Sequence, residues 1–155
     1  MNLEQRAEIL ESGEKFMVGA RIIINAPAEK IFNVIADPQM HAKIDGSKMV
    51  QGEMVGPDRL ALGSVFYMRM KKGLPYIMKN RVVEYKENEL LGWKPLAQNT
   101  WRYELKQLED GSTEVTQWMD GRKAPKLLMK REVTWADKAI AKTLVNLKLI
   151  IESNS

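Results

Sequence analysis

The chain contains no cysteine and a single histidine, His41, in 155 residues. The first absence excludes disulfides, thiolate nucleophiles and Cys-based zinc or iron–sulfur sites. The second leaves no histidine set for a metal ion and only one imidazole for any Ser-His-Asp arrangement. Asp37, Asp45 and Asp58 lack the spacing of a calcium loop, so neither a metal nor a cofactor is expected. No stretch approaches eighteen apolar residues, which argues against a transmembrane helix and against membrane insertion. Met1–Glu14 holds four glutamates and no apolar h-region, unlike a secretory signal. It is read as an N-terminal extension of one domain covering 1–155, with no linker, repeat or low-complexity tract. A cytoplasmic protein, monomeric or weakly homodimeric, is the expectation.

The charge is lopsided but diffuse. Lysine and arginine total 24 against 20 acidic residues, a formal net charge of +4. No RNP, KH or zinc-finger pattern accompanies the bases, so nucleic acid is not expected as a partner.

What the chain does have is punctuation. Arg21–Asn25 reads as an apolar strand that turns at Ala26-Pro27 into a short helix, proline being tolerated in a first helical turn where no N–H is needed. Ile31, Phe32 and Ile35 give that helix one apolar face. Asp37-Pro38 stops it and allows a second short turn around Met40-His41. Strands follow over Lys48–Val55, Leu62–Met70, Pro75–Tyr85, Leu90–Trp93, Asn99–Leu108 and Ser112–Asp120, separated by turn signals. Asp110-Gly111 predicts that the last two pair as a hairpin. The connections are too short for parallel crossovers, so the sheet should be antiparallel with helices on one face, an α+β arrangement. Pro125–Ser153 predicts one long helix, with Leu128, Trp135, Ala139, Ile140, Leu144, Leu147 and Ile151 in its apolar stripe. At about 1.5 Å per residue it is long enough to lie across the concave side of the sheet.

The stretch Ile24-Asn25-Ala26-Pro27-Ala28-Glu29-Lys30-Ile31-Phe32-Asn33-Val34-Ile35-Ala36-Asp37-Pro38 resembles the opening motif of the START-like (SRPBCC) superfamily, which includes the polyketide cyclase/dehydrase group and Bet v 1-type plant proteins. Lys142–Lys148 with Glu152 resembles that family's terminal helix, and Leu62–Phe66 and Gly92-Trp93 fit the cyclase/dehydrase-like branch. The resemblance covers about Lys15–Glu152. It implies a helix-grip fold, an antiparallel sheet wrapped around the long C-terminal helix, with two short helices after the first strand and a deep apolar cavity between. Many relatives carry tryptophan after the helix pair where this chain has Ile44, which changes the size or polarity expected at the cavity mouth.

Strand alternation supplies candidate lining residues. Phe66, Met68 and Met70 share one face, as do Trp101 and Tyr103, Gln117 and Met119, and Met78 and Asn80; Trp135 and Ala139 come from the helix. Methionine suits pockets for varied apolar ligands and equally fills cores. Trp101 and Tyr103 could clamp a ring or pack as plain core. Asn80 and Gln117 are amides that need partners if buried, supplied by ligand, water or protein. His41 and Tyr103 are the candidates for proton transfer, although His41 also reads simply as an exposed loop histidine. The leading expectation is a module that binds a hydrophobic small molecule such as a lipid, isoprenoid or aromatic, polyketide-like compound. The alternatives are a cyclase/dehydratase-type enzyme on such a ligand, and a protein-interaction module like the chaperone regulators of the superfamily.

Overall fold

The computed structural model describes residues 6–95 and 98–153. Among these residues eight strands form one antiparallel sheet: β1 (Glu8–Glu11), β2 (Met17–Ile24), β3 (Val50–Val55), β4 (Val65–Lys72), β5 (Leu74–Lys86), β6 (Leu90–Pro95), β7 (Thr100–Gln107) and β8 (Thr113–Asp120). Their spatial order is β1-β2-β8-β7-β6-β5-β4-β3. The faces read from alternation are the buried ones. Ile22, Ile24, Phe66, Met68, Asn80, Val82, Tyr103, Leu105, Val115, Gln117 and Met119 all point away from solvent.

Local chemistry fixes the helices between β2 and β3. Pro27 precedes α1 (Ala28–Ile35), which buries Ala28, Ile31, Phe32 and Ile35. The Asp37 carboxylate accepts from the Gln39 N–H at 3.0 Å, capping a 3-10 turn over Pro38–Met40 that runs into α2 (His41–Ile44). An aspartate in that position satisfies a donor that the helix itself cannot.

The predicted long helix is two helices. α3 (Lys126–Glu132) and α4 (Ala136–Ser153) are separated by a turn at Val133-Thr134-Trp135. The Thr134 hydroxyl donates to the Arg131 carbonyl at 2.6 Å, and the N–H groups of Thr134 and Trp135 bond three residues back. With neither proline nor glycine in the turn, nothing in the hydrophobic spacing signals it. α4 lies against β2 and β8, with Leu144 and Leu147 fully buried. Its end is fastened to β2: Glu152 accepts from the Asn25 N–H at 2.9 Å, and Lys148 donates to the Ile23 carbonyl at 2.7 Å.

Part of the expected N-terminal extension belongs to the sheet. Glu8–Glu11 pairs with β2, and Glu8 and Arg21 face each other in an ion pair at 2.8 Å; residues 1–5 lie outside the described residues. Strand limits also shift: Lys48 takes a left-handed φ of 60° before β3, and exposed Leu62 precedes β4.

Candidate functional site

The strands do not close tightly on α4 at one end. Between them lies a cavity of about 150 Å³. Its sheet wall presents Met68 and Met70 from β4, Tyr76, Met78 and Asn80 from β5, Trp93 and Pro95 from β6, Trp101 and Tyr103 from β7, and Gln117 from β8. Ala139, Ile140 and Thr143 of α4 face them, and Glu132 and Trp135 stand at the turn between helices. His41 and Ile44 of α2, with Asp45, Ser47, Met49 and Val50 after it, close the remaining side.

Nine of the eleven candidate lining residues therefore surround one space: Met68, Met70, Met78, Asn80, Trp101, Tyr103, Gln117, Trp135 and Ala139. Phe66 and Met119 do not. Both are fully buried, and Phe66 packs edge-on against the His41 and Trp93 rings at 5.7 and 6.4 Å. Those rings fill the space that would join Phe66 to the cavity. Met119 shares the inward face of β8, but its register neighbours Val18 and Trp101 flank it.

The polar groups are unequally satisfied. Asn80 donates from Nδ2 to the Met78 carbonyl at 3.2 Å. The Gln117 and Asn99 side-chain oxygens are buried with no hydrogen-bond partner among the described residues. Most buried polar atoms are paired, and an unpaired one costs about 1–3 kcal/mol. Burial, followed by the nearby charge of Asp45, pushes the Tyr103 hydroxyl well above its ordinary pKa, so it stays protonated as donor and acceptor.

His41 is only 6% exposed, which overturns the exposed-loop reading. Its Nε2 lies 3.0 Å from the Ile35 carbonyl. A carbonyl only accepts, so Nε2 carries the hydrogen and Nδ1 is left with a lone pair. Burial lowers the His41 pKa, outweighing the Ile35 carbonyl and the charges of Asp37 and Asp45. The ring is neutral at physiological pH and sits 5.1 Å from Trp93, which also meets the Tyr103 ring at 5.8 Å.

Sequence reading missed Asn99, Trp93 and Thr143. Asn99, read as the first residue of a strand, lies just before β7, outside the alternation that picks out lining residues. Thr143 accepts from the Gly46 N–H at 2.8 Å and donates to the Ala139 carbonyl at 2.9 Å. That role depends on a loop nearly a hundred residues away.

The lining described contains no lysine or arginine, so it offers no charge to an anion. It can hold a mainly apolar molecule and satisfy a few neutral polar groups. Among the described residues no cluster of three or more His, Cys, Asp or Glu side chains could ligate a metal.

Known proteins share this architecture. A Streptomyces sp. R1128 structure, the Zhui aromatase/cyclase, superposes with a TM-score of 0.69 at 13% identity, over 89% of this chain and 94% of that one. A solution structure of a protein from Arthrobacter aurescens gives 0.71 at 10% identity, over 94% and 91%. In sequence, an uncharacterised protein of Mycobacterium tuberculosis, Rv0088, is 38% identical over 104 residues, which is 66% of this chain and 46% of the relative. The chain thus spans about half the length of the curated relatives it matches. Residues 15–152 match the model of the family described as polyketide cyclase / dehydrase and lipid transport, and the chain belongs to that family.

Proposed function

We propose that the protein binds a small, uncharged, hydrophobic molecule in the cavity between sheet and α4, without altering it. The observation that carries this reading is the Gln117 side-chain oxygen, buried and without a partner among the described residues, on a wall made mostly of methionine and aromatic side chains. A bound molecule with a hydroxyl or N–H group would satisfy it. The family description supports a lipid-like or polyketide-like ligand, and the name of the Streptomyces neighbour supports an aromatic one. Size narrows the choice. Ligand pockets commonly measure ~300–1,000 Å³, whereas an apolar void of ~150 Å³ takes up benzene. The cavity of about 150 Å³ accommodates a single ring; a longer isoprenoid or acyl chain would run out through the mouth. Titration with phenol and with benzene, followed by tryptophan fluorescence, tests the reading: phenol should bind the more tightly, and that preference should vanish in Gln117→Leu. Failure of both compounds to bind overturns it.

A cyclase/dehydratase-type enzyme is the second reading, supported by a neutral imidazole and a protonated phenol on either side of Trp93. His41 would take a proton on Nδ1 and Tyr103 would hydrogen-bond a carbonyl oxygen. Loss of a positioned base removes ~100- to 10,000-fold in rate. A panel of polyketide-like ketones assayed with His41→Gln and Tyr103→Phe separates the readings: a turnover abolished while binding survives establishes the enzyme.

A further inference from the structure

The net charge of +4 conceals a strong polarity along the chain. Residues 69–79 and 122–131 together hold nine lysines and arginines and no acidic residue, while the other 15 bases are outnumbered by all 20 acids. The topology brings these two segments to one end of the molecule. β8 ends at Asp120, in register with Met17 and Thr100 at the starts of β2 and β7. β6 ends at Pro95, opposite Asn80, so Leu74–Lys79 projects beyond it. α3 follows β8 in the chain, and its last residue is Glu132. Tyr76 and Glu132 both border the cavity, so the basic segments flank its mouth.

Two leucines stand out from this collar. Leu127 on α3 is 84% exposed and Leu74 at the hairpin tip is 82% exposed, and Ile77 follows at 68%. Leu74 shares a strand face with Tyr76, which lines the cavity. Lys126, Lys130, Arg131 and Lys71 are exposed around them. Few acids oppose the bases. Asp120 pairs with Arg102 and Arg122, exposed Glu14 lies near Arg122, the Asp45 carboxylate accepts from Ser47 and Val50, and Glu132 stands at the mouth itself.

From this geometry we propose that the mouth end docks on the surface of an anionic lipid bilayer, with Leu74 and Leu127 entering the headgroup–acyl boundary and the bases resting on lipid phosphates and carboxylates. Single leucines separated by lysines suit a bilayer better than an acidic protein, which would need a shaped pocket for each. Apolar burial and attraction to anionic lipid act together at such interfaces. Docking would place the cavity opening against the membrane, so an apolar ligand could pass between them without crossing water. No described helix is long and apolar enough to cross a membrane, and surface docking requires none.

Co-sedimentation with vesicles tests this. The probes are phosphatidylcholine vesicles with and without about one-third phosphatidylserine. The protein should sediment with the anionic vesicles at low salt, not with pure phosphatidylcholine, and should be released at high salt. Leu74→Ser/Leu127→Ser and Lys126→Gln/Lys130→Gln should each weaken binding roughly tenfold or more while the thermal transition stays put. Absence of binding to anionic vesicles at low salt overturns the proposal. So does a leucine variant that binds like the parent, since attraction would then be purely electrostatic and an acidic protein would be the better partner. The proposal stands apart from the ligand reading: phenol titration in solution probes the cavity alone, so either result can fail without the other.

Discussion

Gln117 faces two demands at once, burial in an antiparallel sheet and a carbonyl oxygen with nothing to accept from among the described residues. Replacing both demands with apolar volume should relieve the fold. Gln117→Leu is expected to raise stability by about 1 kcal/mol in the absence of ligand, measured as the midpoint of urea unfolding at unchanged slope. A loss of similar size would mean that the amide is satisfied within the protein. His41 makes a second residue-level prediction through proton linkage. Burial holds its folded pKa below the ordinary 6.5, so the unfolded chain binds a proton that the folded chain refuses. Stability is therefore full above the unfolded pKa and falls as pH drops through the interval down to the folded value, by at most ~1.4 kcal/mol per pH unit. Because it is the sole histidine, the slope that opens below about pH 6.5, before the carboxylates titrate, belongs to His41. The carboxylates whose pKa is lowered, Asp120 to about 2 among them, act at lower pH. His41→Gln, still able to donate to the Ile35 carbonyl, should flatten that interval in a pH series of unfolding curves.

At the level of elements, two glycines show how neighbouring segments are allowed to approach. A Cβ on Gly46 would lie 2.4 Å from the Ala139 carbonyl oxygen and 2.7 Å from the Thr143 nitrogen. Both are helix backbone and cannot step aside. Gly46→Ala should cost about 3 kcal/mol by lifting the loop after α2 off α4 and breaking the Gly46–Thr143 bond. Gly92 plays the same part on the convex face, where a Cβ would meet the Glu84 carboxylate at 2.4 Å. That carboxylate crosses Gly92 to reach Arg102 in two hydrogen bonds, 2.7 and 2.9 Å, and Arg102 continues to Asp120 at 3.3 Å. Gly92→Ala should cost about 1–3 kcal/mol, and Glu84→Gln should recover part of it by removing the displaced charge. Thermal unfolding of the single and double variants reads the coupling.

These contacts mark the boundary of what residues alone convey. Alternation and turn chemistry gave the inward faces of β4, β7 and β8 and the hairpin at Asp110-Gly111, because each is a local, periodic signal. The motif around Gly92-Trp93 was visible, but not that the glycine makes room for an ion pair. Nor could spacing reveal the break at Thr134, where a hydroxyl bond to one carbonyl decides the path. The burial of His41 is invisible to local pattern for a related reason: it follows from Phe66 and Trp93, on two strands distant in the chain. Whether a methionine lines a cavity or fills a core depends on how far the sheet stands from α4, a distance set by the whole fold.

On the scale of the molecule, packing is uneven. Away from the mouth, Ile31, Phe32, Ile35, Leu91, Leu147 and Ile151 are essentially inaccessible and form a filled core. Toward the mouth the sheet thins: Leu74–Lys79 has β4 as a partner on one side, while β6 begins to pair only at Asn80. Among the described residues no strand pairs with Leu74–Lys79 on its other side, so the N–H groups that face that side have no ladder acceptor there. Regions with few buried contacts and exposed hydrogen bonds open locally at a small fraction of the global free energy. Amides in 74–79 should therefore exchange with solvent roughly a hundredfold faster than those in 81–86 of the same strand. Hydrogen exchange followed by mass spectrometry resolves the two halves. Binding of phenol in the cavity should slow the first half selectively, since Tyr76 and Met78 border the occupied space and also stand on the fraying segment. Uniform protection along β5 in the free protein would mean that the hairpin is held by something other than β4, and that the cavity does not open at this end.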